Sequence, residues 1–213
     1  MVYYSFGVGI MRNLVKEIIT GRWLKKMSNL TVNTKEKFSI QQIAAIGVMT
    51  AVICVLAPFS LPIGPVPISL TNLAIYFALY MLGVKIGTIS YLVYLRIGLV
   101  GVPVFSGFTS GPGKLFGPPG GYLIGFIPMA IIAGMVIDRK INNRLLCFIG
   151  MIIGTVVCYA FGTACLAYEA HMDLLAALMA GVIPFIPGDL IKMVLAMILG
   201  PQIRNRLIHA NLF

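Results

Sequence analysis

Long apolar stretches, each ended by a cluster of Gly and Pro or by charged residues, organise this chain from residue 40 to residue 199. None alternates apolar and polar positions as a lipid-facing barrel strand does, so each reads as a helix. The stretches fall at about 40–57, 69–82, 86–100, 121–137, 145–168 and 187–199. The first follows Ser39, a candidate N-cap, and stops before Pro58. The second and third are short for a bilayer that takes about 20 apolar residues, so they are expected to end beneath loops covered by protein. Segment 173–186 is apolar but closed by Pro184. It reads as a short helix lying against the bundle or re-entering it. The pattern predicts an all-α integral membrane protein, a single six-helix transmembrane domain over residues 39–213, preceded by a basic arm at 1–38.

Composition sharpens this reading. Of 213 residues, 59% are hydrophobic and 10% charged, against about 25% charged in a soluble domain. A net charge of +10 would point to nucleic acid in a soluble protein. Here the basic residues lie in the arm (Arg12, Lys16, Arg22, Lys25, Lys26, Lys35, Lys37) and in the short connections (Lys85, Arg139, Lys140, Arg144, Arg204, Arg206), where they set topology instead. The opposite face receives Lys114, Glu169 and Asp173. The positive-inside rule therefore predicts a multi-pass protein of the cell membrane with both termini cytoplasmic and no nucleic-acid partner. The arm lacks the apolar core and cleavage site of a secretory signal. Residues 11–26 read either as an amphipathic surface helix or as sequence preceding a true start at Met27. Cys54, Cys147, Cys158 and Cys165 all fall in apolar segments without metal-ligand spacing, which predicts buried thiols and no metal.

Against this apolar background, one pair of charges stands out. Asp189 and Lys192 lie in Pro184-Phe185-Ile186-Pro187-Gly188-Asp189-Leu190-Ile191-Lys192, three apart and so on one helical face. A charge inside hydrocarbon costs about 2.5–3.5 kcal/mol on insertion scales and marks a functional site by default. A carboxylate acceptor beside an ammonium donor suits a small ligand carrying both N–H groups and oxygens. The other reading is an ion pair that braces the bundle. Lys192 precedes Arg204 by twelve residues, about 18 Å of helix, which places the pair in the outer half of the membrane, under a cavity open to the outside.

The connection from Gly101 to Gly120 is rich in glycine, which permits close backbone approach to a ligand. Phe105, Ser106 and Gly107 within it, and Tyr122 just beyond, are candidates to wall the cavity and supply a hydroxyl. Its loose likeness to a phosphate loop fails, because Leu115 stands where Ser or Thr would hold Mg²⁺. Asn72, with Ser69 and Thr71, either lines the cavity from the facing wall or caps the second span. Arg96 either snorkels to the interface or anchors a ligand carboxylate. Ala44, Gly47 and Ala51 share one face of the first span, a small-residue surface suited to internal packing or to docking on another membrane protein. His171 and His209 have no acidic partner at catalytic spacing, and neither HExxH nor GxSxG is present. No enzyme is expected, and the sequence offers no means of using ATP.

Four segments in order, Gly64–Leu70, Gly98–Gly107, Gly117–Phe126 and Pro184–Lys192, make the chain resemble BioY, the biotin-binding S component of energy-coupling-factor (ECF) vitamin transporters. The resemblance covers about residues 40–205. It implies the six-helix ECF S-component fold, capture of biotin from outside, no cofactor, and partnership with a transmembrane coupling subunit and two cytoplasmic ATPase subunits, within membrane lipid. It also implies that Asp189 and Lys192 contact biotin. In the family, small residues of the first helix meet the coupling subunit, often as AxxxA, and Gly47 and Ala51 are the nearest match here. Some relatives carry an Asn where this chain has Gly107. The alternatives are a solitary biotin carrier working without ATPases, and a structural membrane protein that transports nothing.

Overall fold

The computed structural model describes residues 38–62 and 66–209. The basic arm, the alternatives for residues 11–26 and the candidate start at Met27 lie outside the described residues.

From Ile40 onward most of the described chain is helical. Helix α1 spans Ile40–Leu56. A two-residue antiparallel ladder follows, β1 (Ser60–Leu61) against β2 (Ile68–Ser69), an element the apolar pattern does not predict. Next come α2 (Thr71–Val100), the one-turn α3 (Pro112–Leu115), α4 (Gly120–Lys140), α5 (Arg144–Glu169), α6 (Leu174–Gly181), a 3₁₀ turn at Ile183–Phe185, and α7 (Ile186–His209). The four longest apolar helical stretches meet the length and hydropathy of a membrane span, and α1 is a shorter apolar helix. The segment expected at 173–186 is α6 plus the 3₁₀ turn, and the last span extends well beyond 199.

The second and third expected spans form one helix, broken at Gly83, where φ of 77° leaves the helical region. This is a reversal rather than a bend. A Cβ placed at Gly87 would lie 3.1 Å from the backbone of Ala78, whereas nine residues of straight helix would separate them by about 13 Å. A positive φ favours glycine, so a single residue turns the chain. Asp138 at the end of α4 completes the turn, its Oδ2 accepting from Val84 N at 2.9 Å and serving as the cap that the second arm's first turn lacks. With α2 counted as two arms, six passes result.

The arms, α4 and α5 pack through small residues. Along α4 and α5, Gly121 faces Cys165, Gly125 faces Cys158, Gly154 faces Met129 and Gly150 faces Val136. These pairs run in opposite order along the two helices, an antiparallel hairpin zipped by glycine as membrane helix pairs often are. Tyr91 donates to the carbonyl of Leu123 at 2.7 Å, fixing the second arm of α2 against α4. Helix α7 runs parallel to the first arm, held by Lys192 Nζ on Ser69 O at one end and Arg204 Nη1 on Tyr80 O at the other. Asn143 opens α5 by accepting from Leu146 N. Outward-facing Val48, Val55, Leu92, Ile153 and Ile191 are exposed, as side chains that meet lipid should be.

Candidate functional site

The cavity lies at the end of the bundle where the ladder and the glycine-rich loop meet. Two contacts join these connections: Gly107 N donates to Pro58 O at 3.0 Å, and Phe59 meets Phe108 edge-on with centroids 5.9 Å apart. Beneath them, Val66, Pro67, Ser69, Asn72 and Ser106 line one side. Pro119, Tyr122, Leu123 and Phe126 from α4, with Thr155, Cys158 and Tyr159 from α5, line the other. Asp189 and Lys192 of α7 and Phe185 just before it close the wall.

Asp189 and Lys192 are both buried, with side chains 9% and 10% exposed, and Lys192 Nζ stands 3.1 Å from Asp189 Oδ1. The ammonium also donates to the carbonyl of Ser69 at 2.6 Å. Asp189 Oδ2 accepts from the hydroxyl of Tyr159 at 2.7 Å. An ammonium has three donors and a carboxylate about four acceptor positions. One donor and two acceptor positions are thus left beyond these bonds. That remainder matches a compact group presenting N–H donors beside an oxygen acceptor. Low local dielectric strengthens each such bond, and the pair leaves no net charge in the membrane.

The other expected residues separate into those at the cavity and those away from it. Asn72, Ser106 and Tyr122 line it. The Tyr122 hydroxyl, however, donates to Gly181 O at 2.9 Å, and its ring stacks on Phe185, so it joins α4 to the end of α6. Asn72 Oδ1 accepts from Leu73 N at 3.0 Å. Phe105 does not wall the cavity. Its ring is fully buried, wedged against Gly98 and edge-on to Tyr94, because the chain reverses tightly between Phe105 and Thr109 through left-handed Gly107 and Phe108. Gly107 is exposed and gives its N–H to the neighbouring connection rather than to the cavity. Arg96 is exposed on the second arm of α2 and is absent from the cavity lining. Ala44, Gly47 and Ala51 are exposed along α1, with open space at Gly47. All four cysteines are free, and Cys158 lines the cavity.

The lining includes a polar residue that the sequence reading passed over. Tyr159 is the direct partner of Asp189, and with Thr155 it puts two hydroxyls one helical turn apart on α5. Two polar side chains at i and i+4 inside a long apolar span were the available signal.

The model of the BioY family matches residues 27–209. The biotin transporter BioY of Thermotoga maritima is 36% identical over 166 residues, covering 78% of this chain and 97% of that protein. The biotin transporter BioY of Rhizobium etli is 37% identical over 153 residues, covering 68% and 81%. Among solved structures, the S-component for biotin from an ECF-type ABC transporter matches with a TM-score of 0.72 and 32% identity, over 78% of this chain and 92% of that one.

Proposed function

Because the chain belongs to the BioY family, we propose that it takes up biotin as the S component of an ECF transporter, holding the vitamin in the cavity lined by Asp189 and Lys192. The observation that carries this reading is the buried Asp189–Lys192 pair with its unused donor and acceptor positions. Biotin's ureido ring offers two N–H groups and a carbonyl. Asp189 accepts from an N–H and Lys192 donates to an oxygen, each charge-assisted bond contributing about 1.5–3 kcal/mol. Phe126, Leu123 and Phe185 supply apolar contact for the thioether ring. Asn72 and Ser106 are further polar contacts at the rim.

Residues 39–213 form the transporting domain and 1–38 a cytoplasmic arm. The end carrying Lys85, Arg139, Lys140, Arg144, Arg204 and Arg206 faces the cytoplasm, so the cavity faces outward. The exposed stripe Ala44, Gly47 and Ala51 on α1 meets a transmembrane coupling subunit, which links the chain to two cytoplasmic ATPase subunits. A multi-pass membrane protein of a transporter family that draws its energy from such a module needs no catalytic site of its own.

Calorimetric titration of the purified, ligand-stripped protein with biotin tests this reading, with Asp189→Asn as control. One-to-one binding lost in the variant is expected. Wild-type affinity in Asp189→Asn, or no binding by folded wild-type protein, would overturn it.

A further inference from the structure

The cavity beside Asp189 is too small for biotin, and the missing room lies behind one side chain. Its volume is about 50 Å³, enough for one or two water molecules, whereas small-molecule sites run to about 300–1,000 Å³. Across Tyr159 lies an apolar groove of about 600 Å³ between α5, α6 and α7, walled by Val156, Ala160, Leu178, Val182 and Leu190. Thr155, Tyr159 and Asp189 border both spaces, so the Tyr159 ring is part of the wall between them. One hydrogen bond, from its hydroxyl to Asp189 Oδ2, ties the phenol in place. Tyr76 and Tyr91, also at this level, are fully buried in the core. Tyr159 is half-buried beside open volume, and the groove's aliphatic walls can receive an aromatic ring in another staggered rotamer.

We propose that Tyr159 is a displaceable plug: in the empty protein its ring, tethered to Asp189 Oδ2, fills the room beside the carboxylate that a ligand needs, and it retreats into the α5–α6–α7 groove as a ligand N–H takes over the tether. This rests on the biotin reading above and adds a residue that sets specificity. The exchange moves no proton between partners, because a ligand N–H replaces the phenolic O–H as donor to the same carboxylate oxygen. A molecule without such a donor would leave Asp189 Oδ2 with neither partner. Tyr159 therefore sets a threshold that only a ligand carrying N–H groups crosses.

Calorimetry on three proteins tests the plug. Tyr159→Phe has no bond to break on ligand entry and is expected to bind biotin about tenfold tighter, or about 1.4 kcal/mol. Val156→Trp fills the groove without lining the cavity and is expected to bind about tenfold weaker. Unchanged or weaker binding by Tyr159→Phe, or unchanged binding by Val156→Trp, would overturn the proposal. A second readout needs no ligand: fluorine NMR of a fluorotyrosine placed at 159, in bilayers containing paramagnetic lipid. The resonance should be protected in the otherwise wild-type protein and broadened in Asp189→Leu, where the tether is gone. A resonance equally protected in both contradicts the plug. If wild-type protein binds no biotin, the functional reading fails, while the fluorine measurement still decides on Tyr159.

Discussion

The two seams that α5 makes are unlike each other. Against α4, glycines at 121, 125, 150 and 154 bring the backbones so close that an added Cβ would collide with the facing helix. Against α7, the same helix stands off across a groove of about 600 Å³ lined by aliphatic side chains. The candidate site lies between them, with Cys158 and Leu123 from the tight seam and Tyr159 and Asp189 from the loose one. The tight seam holds one wall of the cavity, and on the plug proposal the loose seam supplies the volume into which Tyr159 retreats.

The largest effect is expected at the charges. Lys192→Met leaves Asp189 buried without its cation, which typically costs about 3–5 kcal/mol of folding stability, and it removes the charged donor to the ligand while leaving the carboxylate uncompensated in the site. Biotin affinity should fall more than about 100-fold by calorimetry, and a change under tenfold would remove the pair from the account. Next, Gly47→Leu on the open face of α1 should cut biotin uptake by cells at least about tenfold while leaving biotin affinity of the purified protein unchanged, since side-chain bulk at a small-residue face blocks helix approach. Unimpaired uptake would move the partner surface elsewhere.

The seams themselves can then be compared. At Gly125 a Cβ would stand 3.0 Å from the Cys158 carbonyl oxygen and 3.1 Å from its Cα. Gly125→Val should therefore lower stability by about 1–3 kcal/mol through overpacking, seen as a lower Tm in detergent. Val156→Ala at the groove should stay within about 0.5 kcal/mol. Equal losses would erase the distinction between the seams. The smallest effect is expected from Arg96→Gln. Its side chain is exposed and away from the cavity, so biotin affinity should change less than about twofold, and a larger loss would restore Arg96 as a ligand contact.

Much of this fold is legible along the chain because a bilayer leaves the backbone only two ways to be satisfied, helix or closed barrel, and continuous apolar stretches without alternation select the helix. The helices accordingly fall where the apolar stretches do. The reversal at Gly83 is harder to read, since the turn consumes a single residue and its cap, Asp138, lies over fifty residues away. The ladder of Ser60–Leu61 with Ile68–Ser69 is too short to leave an alternating pattern. At the site, Asp189 and Lys192 stand out because charge in hydrocarbon is costly. Tyr159 does not, because a phenol is ordinary in an apolar helix until its partner is known. Phe105 shows the opposite failure. Its neighbours in sequence are loop-like, yet Gly98 leaves a hole in α2 that the ring fills, and only the folded chain brings the two together.

A binding role for Asp189 and Lys192 and a purely bracing role differ in what happens when both charges are removed. The most direct test replaces both at once, Asp189→Leu with Lys192→Leu, and measures Tm and biotin affinity on the same preparation. Removing a buried pair together is often neutral or stabilising. A binding role therefore gives an unchanged or higher Tm with biotin binding abolished. Retained binding, or a protein that no longer folds, would contradict it.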